Sequence, residues 1–165
     1  MEQADLRGFT GCLMKASAAA GTTTTYSTTG TTHFSIGGKA YSKTAVTNGA
    51  TPTTDVNTGA AFTAVGASEG CVFVLGYNAN GDIKVAQGEI VDLTGEAGGS
   101  SASFVQAPEF PNLPADFAPF AYLLTKVGAS GSSWTFGSSN LAGPPSNVLH
   151  TFVDVTTLPT RPQTS

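Results

Sequence analysis

The stretch Gly66 to Gly70, "GASEG", has the spacing G-x-S-x-G, in which a hydrolase holds its serine on a sharp strand-to-helix turn within reach of a base. Ser68 would be the nucleophile, and His33 and His150 are the two histidines that could serve it. A strand-like run follows the motif where a helix is needed, so the sequence reads Ser68 as a turn residue. Asn78, Asn80 and Asp82 alternate as calcium ligands do, and Glu89 falls where a closing carboxylate would stand. Ile83, however, occupies the position that needs glycine, and a hairpin turn accounts for the same residues without an ion. Glycoside hydrolysis requires two carboxylates flanking one bond, for which Glu89 with Asp92, or Glu109 with Asp116, are the nearest pairs. These acids fall at turns or at positions expected to face solvent. Cys12, His33, Cys71 and His150 are too dispersed for a zinc site, and no phosphate-binding glycine loop ends in Lys-Ser or Lys-Thr. The expectation is a chain with no catalytic, cofactor-binding or metal-binding residue.

The elements that would have to position such groups are short. At 165 residues and 16.6 kDa the chain suits one domain. Charged residues make up 11%, against roughly 25% in ordinary soluble domains. Hydroxyls and backbone must therefore cover much of the surface, which suits close packing against other protein. The net charge of -4 and the scatter of Arg7, Lys15, Lys39, Lys43, Lys84, Lys126 and Arg161 leave no basic patch for nucleic acid. Glu2, Asp5 and Lys15 break the pattern of a secretory signal, and no apolar run reaches the ~20 residues of a membrane helix. Cys12 and Cys71 allow one bridge at most; both are read as buried, reduced and inert.

Glycine and proline recur too often for helices of ordinary length, while short β-branched and aromatic runs alternate with turn residues. The fold class is all-β: a single jelly-roll-like sandwich or small β-barrel with an extended N-terminal arm. "CVFVLGYNANGDIKVAQGEIV", residues 71 to 91, reads as a hairpin turning at Asn80-Gly81. A second hairpin is expected over 120 to 136, "FAYLLTKV" returning through "GASGSS" as "WTF". Pro119 and the glycine-rich exit outweigh a helical spacing of Phe117, Phe120, Leu124 and Val127. Further strands are expected at 34 to 46, 62 to 65, near Phe104 and at 149 to 155. "APEFPNLPADFAP", 107 to 119, should run as a stiff extended connection over the surface.

The threonine-rich stretch "GTTTTYSTTGTTHFSIGG", 21 to 38, is β-branched and carries Tyr26, His33 and Phe34, unlike a purely solvated linker. It lacks the prolines of a glycosylated stalk. The reading is an arm that adds a strand to a sheet edge, its own or a neighbour's. The division is residues 1 to 33 as arm, 34 to 158 as body and 159 to 165 as tail. Candidate partner contacts are Thr24, Tyr26, Thr29 and His33 on the arm, Phe110 in the proline-rich connection, and Trp134, for which a core position competes.

Three stretches, "FSIGGKAYSKTAVTNGATPTTD", "GCVFVLGYNANGDIKVAQGEIV", and "FPNLPADFAPFAYLLTKV" with "TFVDVTTLP", together resemble small β-rich virion proteins of tailed bacteriophages. Within that group the resemblance is nearest to the capsid decoration, or cement, proteins. It implies a non-enzymatic protein, made in the host cytoplasm, that binds the outside of the capsid and bridges major capsid proteins. It also implies a homo-oligomer, dimer or trimer, and no direct contact with nucleic acid or membrane. A tail, neck or fibre component, or a carbohydrate-binding module of a receptor-binding structure, is the alternative. If the arm makes the contact, deleting residues 1 to 30 abolishes shell binding and leaves a folded body; unchanged decoration by the truncated chain would contradict it.

Overall fold

A computed structural model describes residues 9 to 96 and 102 to 164, so residues 1 to 8 of the expected arm and Ser165 of the expected tail lie outside the described residues. The described chain is all-β and forms twelve strands in three sheets. The sheets curl into a half-barrel with sandwich-like packing, within the expected class of small sandwich or barrel.

The centre is made by β7 (Glu69–Tyr77) and β11 (Ala118–Val127), paired antiparallel. Their runs "EGCVFVLGY" and "APFAYLLTKV" are apolar at almost every position, the pattern of a sheet covered on both faces. Alternation then sorts the side chains: Cys71, Phe73, Leu75 and Tyr77 enter one core, Val72 and Val74 the other. On β11 the ladder slips by one residue between Pro119 and Ala121. Phe120 and Ala121 consequently both face the first core, and Leu123 and Val127 continue on that side while Tyr122 and Leu124 face the second. The bulge gives Pro119, which has no N–H, a tolerated place in a central strand.

Beyond β11 lies β12 (Val148–Asp154); beyond β7 run β8 (Ile83–Gln87) and β9 (Val91–Thr94), and β10 (Ser103–Phe104) pairs with β9. The β7–β8 hairpin is the expected one. Gly81 takes φ 77, and the Asn78 side-chain oxygen accepts the N–H groups of Asn80 (3.0 Å) and Asp82 (2.9 Å). The expected second hairpin does not form. β11 pairs with β12 across an excursion of residues 128 to 147, and "WTF" is no strand. Both edges of β11 are taken by β7 and β12. Trp134 instead exchanges two backbone hydrogen bonds with Val65, at 2.8 and 2.9 Å, and its ring fills the first core. The expected strand at 62 to 65 reduces to this bridge and to burial of Phe62.

Of the two sheet edges expected for the threonine-rich segment, its own and a neighbour's, the described residues take their own. Residues 9 to 33 are woven into the body rather than projecting from it. β1 (Gly11–Cys12) pairs with β4 (Thr32–Ile36), and β2 (Ala19–Ala20) pairs with β3 (Thr25–Ser27). β3 in turn pairs with β6 (Gly49–Ala50). The arm-to-body boundary at 33 and 34 falls inside β4. The run from 34 to 46 breaks at Gly37-Gly38, both at positive φ, so that β4 returns as β5 (Lys39–Lys43). Cys12, Ala16, Ala18, Tyr26 and Phe34 all belong to the first core. Deleting residues 1 to 30 would strip this packing, so it does not separate binding from folding.

The proline-rich segment and the tail cover the second core. Phe110 stacks edge-on against Tyr122 at 5.1 Å, Leu113 packs beside it, and Phe117 is buried. The tail is docked as well, with Gln163 N–H donating to the Tyr122 hydroxyl at 2.9 Å.

A side chain on Gly76 of β7 would meet Phe117 Cε1 at 2.5 Å and the Ala118 carbonyl oxygen at 2.7 Å. Gly76→Ala should therefore cost about 2–3 kcal/mol by overpacking against backbone that cannot move alone. A thermal melt reads this as a fall of several degrees; an unchanged Tm would contradict the two-sided packing.

Candidate functional site

The residues with chemical potential are held apart or already engaged. Ser68 sits at φ 60 in the turn before β7, with its carbonyl accepting Leu93 N–H at 2.8 Å. A strand follows it, as the sequence implies. No histidine is paired with it: His33 is exposed on β4, and His150 Nδ1 lies 3.1 Å from Thr125 Oγ1. The Asn78 oxygen that would ligate calcium closes the hairpin turn, and its amide donates to Asp82 Oδ2 at 3.2 Å. Glu89, Asp92, Glu109 and Asp116 are exposed. Among the described residues no group of three or more His, Cys, Asp and Glu side chains could hold a metal.

Both thiols are free and buried, and burial pushes each up to about 12. Neither is a nucleophile at neutral pH. His150 is pressed against Trp134, with ring centroids 4.4 Å apart, and burial lowers it to about 4. Its Nε2 is buried without a partner among the described residues. The uncharged ring thus belongs to the core.

A polar cleft of about 330 Å³ is lined by Asp55, Thr58, Thr63 and Gln87 among others. Its groups hold a loop rather than await a ligand. Asp55 accepts Gln87 N–H at 3.0 Å and Thr58 N–H at 3.1 Å. Gln87 accepts Thr63 N–H and donates to the Thr63 carbonyl, each at 2.8 Å. This clamps residues 55 to 63 along β8.

A second groove, about 180 Å³ and mainly apolar, is lined by Phe9, Gly11, Cys12, Leu13, Ser35 and Thr157. Two of its lining side chains are large, apolar and exposed, Phe9 at 72% and Leu13 at 67%, and Met14, 44% exposed, follows Leu13 in the chain. The backbone beneath them is pinned. Leu13 N–H donates to the His33 carbonyl at 2.9 Å, and Cys12 N–H to the Thr156 carbonyl at 2.8 Å. The Ser35 hydroxyl holds the carbonyl of Phe9, which itself stands at φ 60, a conformation bulky residues rarely adopt. A fixed apolar ridge beside an apolar groove is the form of a protein-binding surface.

The six expected contact residues scatter over the molecule. Tyr26 and Trp134 are core residues, not anchors: Tyr26 stacks on Phe120, and Trp134 Nε1–H donates to the Asn140 carbonyl at 2.9 Å. Phe110 is half-buried on Tyr122. Thr24 is half-buried with its carbonyl holding Thr51, whereas Thr29 and His33 are exposed. Only His33 adjoins the ridge, through its bond to Leu13. The sequence reading missed Phe9, Leu13 and Met14, although three large apolar residues in six positions, broken by Thr10, Gly11 and Cys12, are visible there.

No protein-family model, curated protein or solved structure matches this chain.

Two outcomes test the site chemistry. The native protein should leave a thiol reagent unconsumed, and denaturant should release both thiols; fast native reaction would place a cysteine at the surface. Because His150 titrates near 4 when folded and near 6.5 when unfolded, the unfolded chain binds more protons between those values. Stability should be lost as pH falls through that window, on the order of 3 kcal/mol in full. His150→Gln should flatten that part of the denaturation profile, and an unchanged slope would contradict the buried neutral ring.

Proposed function

We propose that the chain is a non-enzymatic structural protein of a tailed-phage particle, which binds the outside of the capsid and bridges major capsid proteins. The observation that carries the reading is the pair of exposed apolar side chains, Phe9 and Leu13, that line a groove over pinned backbone. A rigid surface of this kind fits permanent contact with other protein. The low charge and hydroxyl-rich composition suit the same role, since a weakly charged surface packs against a neighbour with little ionic desolvation. The likeness of three stretches to decoration proteins supplies the capsid as partner. The ridge replaces the threonine-rich segment as contact, because that segment's aromatic residues serve the core.

A sugar-binding face has less support. Tyr26, Tyr77, Tyr122 and Trp134 are buried, and Tyr41 is half-buried with its ring stacked on Phe34 at 5.6 Å. They form no exposed stacking platform.

The test is a double variant, Phe9→Ser with Leu13→Ser, offered to purified capsids stripped of this chain. Both side chains are largely exposed, so the melt should stay close to that of the parent. Capsid affinity should fall about tenfold or more. Decoration with unchanged affinity by a normally folded variant would overturn the reading.

A further inference from the structure

The sheet edges of this molecule are not treated alike. β10 is two residues long, and β9 is covered by it. The outer side of β8 is closed by Val56 N–H on the Val85 carbonyl at 2.9 Å and by Asp55 on Gln87 N–H. β5 is an edge of its sheet, but it begins and ends with Lys39 and Lys43. Antiparallel pairing of two β5 strands about Tyr41 would set Lys39 against Lys43 of the other copy, a repulsive match that guards such edges. β12, "VLHTFVD", is different: seven residues with no lysine, arginine or proline, at the end of the central sheet.

Its free hydrogen-bonding groups can be read from the register. Val155 N–H donates to the Phe120 carbonyl at 3.0 Å and Gly128 N–H to the Asn147 carbonyl at 2.8 Å. Odd-numbered residues of this strand therefore exchange hydrogen bonds with β11, and the even-numbered ones direct N–H and C=O outward. The outward set is limited at both ends. Val148 N–H is taken by the Pro145 carbonyl at 3.2 Å, and the Thr156 carbonyl by Cys12 N–H. Between them, the backbone groups of His150, Phe152 and Asp154 point away from β11 with no backbone partner among the described residues.

We infer that β12 pairs antiparallel with β12 of a second copy, joining two central sheets into one across a twofold axis at Thr151. This register sets His150 opposite Phe152 of the other copy in both directions, so the backbone groups of both are satisfied, and it brings Asp154 N–H to the free carbonyl of Val148 of the other copy. Pairing His150 with His150 would leave Asp154 with no strand residue opposite it, and pairing Phe152 with Phe152 would carry Val148 of the other copy to the place beside Thr156 that Cys12 already holds. On the opposite face of the strand Leu149, 42% exposed, comes to lie across from Val153 of the partner copy. Thr151 meets Thr151, and no like charges face each other over residues 149 to 153. Strand, edge chemistry and symmetry select the same partner. The inference rests on these backbone groups and not on the capsid reading.

Thr151→Cys tests it on the full chain. The side chain is exposed, and directly opposed residues of a non-hydrogen-bonded pair lie about 4.5 Å apart at Cα, within disulfide reach. Mild oxidation should give a covalent dimer of twice the 16.6 kDa chain mass, whereas Thr31→Cys, exposed elsewhere, should not. Sedimentation of the unmodified chain should show a concentration-dependent dimer, and Thr151→Lys, which sets two ammonium groups face to face, should return it to monomer with the melt of the dilute, dissociated parent. A parent chain that stays monomeric at every concentration, or a Thr151→Cys chain that cross-links no faster than the control, would overturn the inference. A monomer that still decorates capsids would assign the edge to another protein's strand and leave the capsid reading intact.

Discussion

Everything in this molecule hangs on the pairing of β7 with β11. The two strands are apolar on both faces, so neither can be stable until a layer of chain covers each side. The fold is the solution to that demand. On one side the N-terminal segment, the 62 to 65 stretch and the 128 to 147 excursion bring in Tyr26, Phe34, Phe62, Trp134 and Phe136. On the other the proline-rich connection and the C-terminal tail bring in Phe110, Leu113, Phe117 and Leu158. The rings are in mutual contact: Tyr77 stacks on Phe120 at 4.6 Å, and Phe73 on Phe136 at 5.1 Å.

This demand also explains where function can reside. With most aromatics and both thiols committed inward, the surface is left with hydroxyls, glycines and few ions. Among the described residues, two features outside the core bear on this. One is the ridge at Phe9 and Leu13; the other is the outward backbone of β12. Both are features of the kind that join protein to protein in the proposed readings, one through apolar area and the other through directed hydrogen bonds.

The centre of the fold was legible because its signals are local. The apolar runs of β7 and β11, the Asn-Gly turn and the β-branched and aromatic run of β12 can each be read within ten residues or so. Partner choice was not. "WTF" looks like the return strand of β11, and only the competition from β12 for the same edge excludes it. The threonine-rich segment looked like an arm because β-branched, weakly apolar residues suit an extended chain equally well inside a fold or outside it. What ties it down is a handful of long-range contacts, such as Tyr26 on Phe120 and Ala18 N–H on Asp154 at 2.7 Å, which no local pattern announces. At the surface the aromatics with polar groups carry the strongest sequence signal for an interface, but the core claims most of them.

The proposed place of this chain on a capsid surface is tested most directly by its copy number relative to the major capsid protein in purified particles, read by quantitative mass spectrometry. The account predicts a fixed ratio of the same order as the major capsid protein itself. Absence from the particle, or the few copies per particle of a tail or neck part, would contradict it.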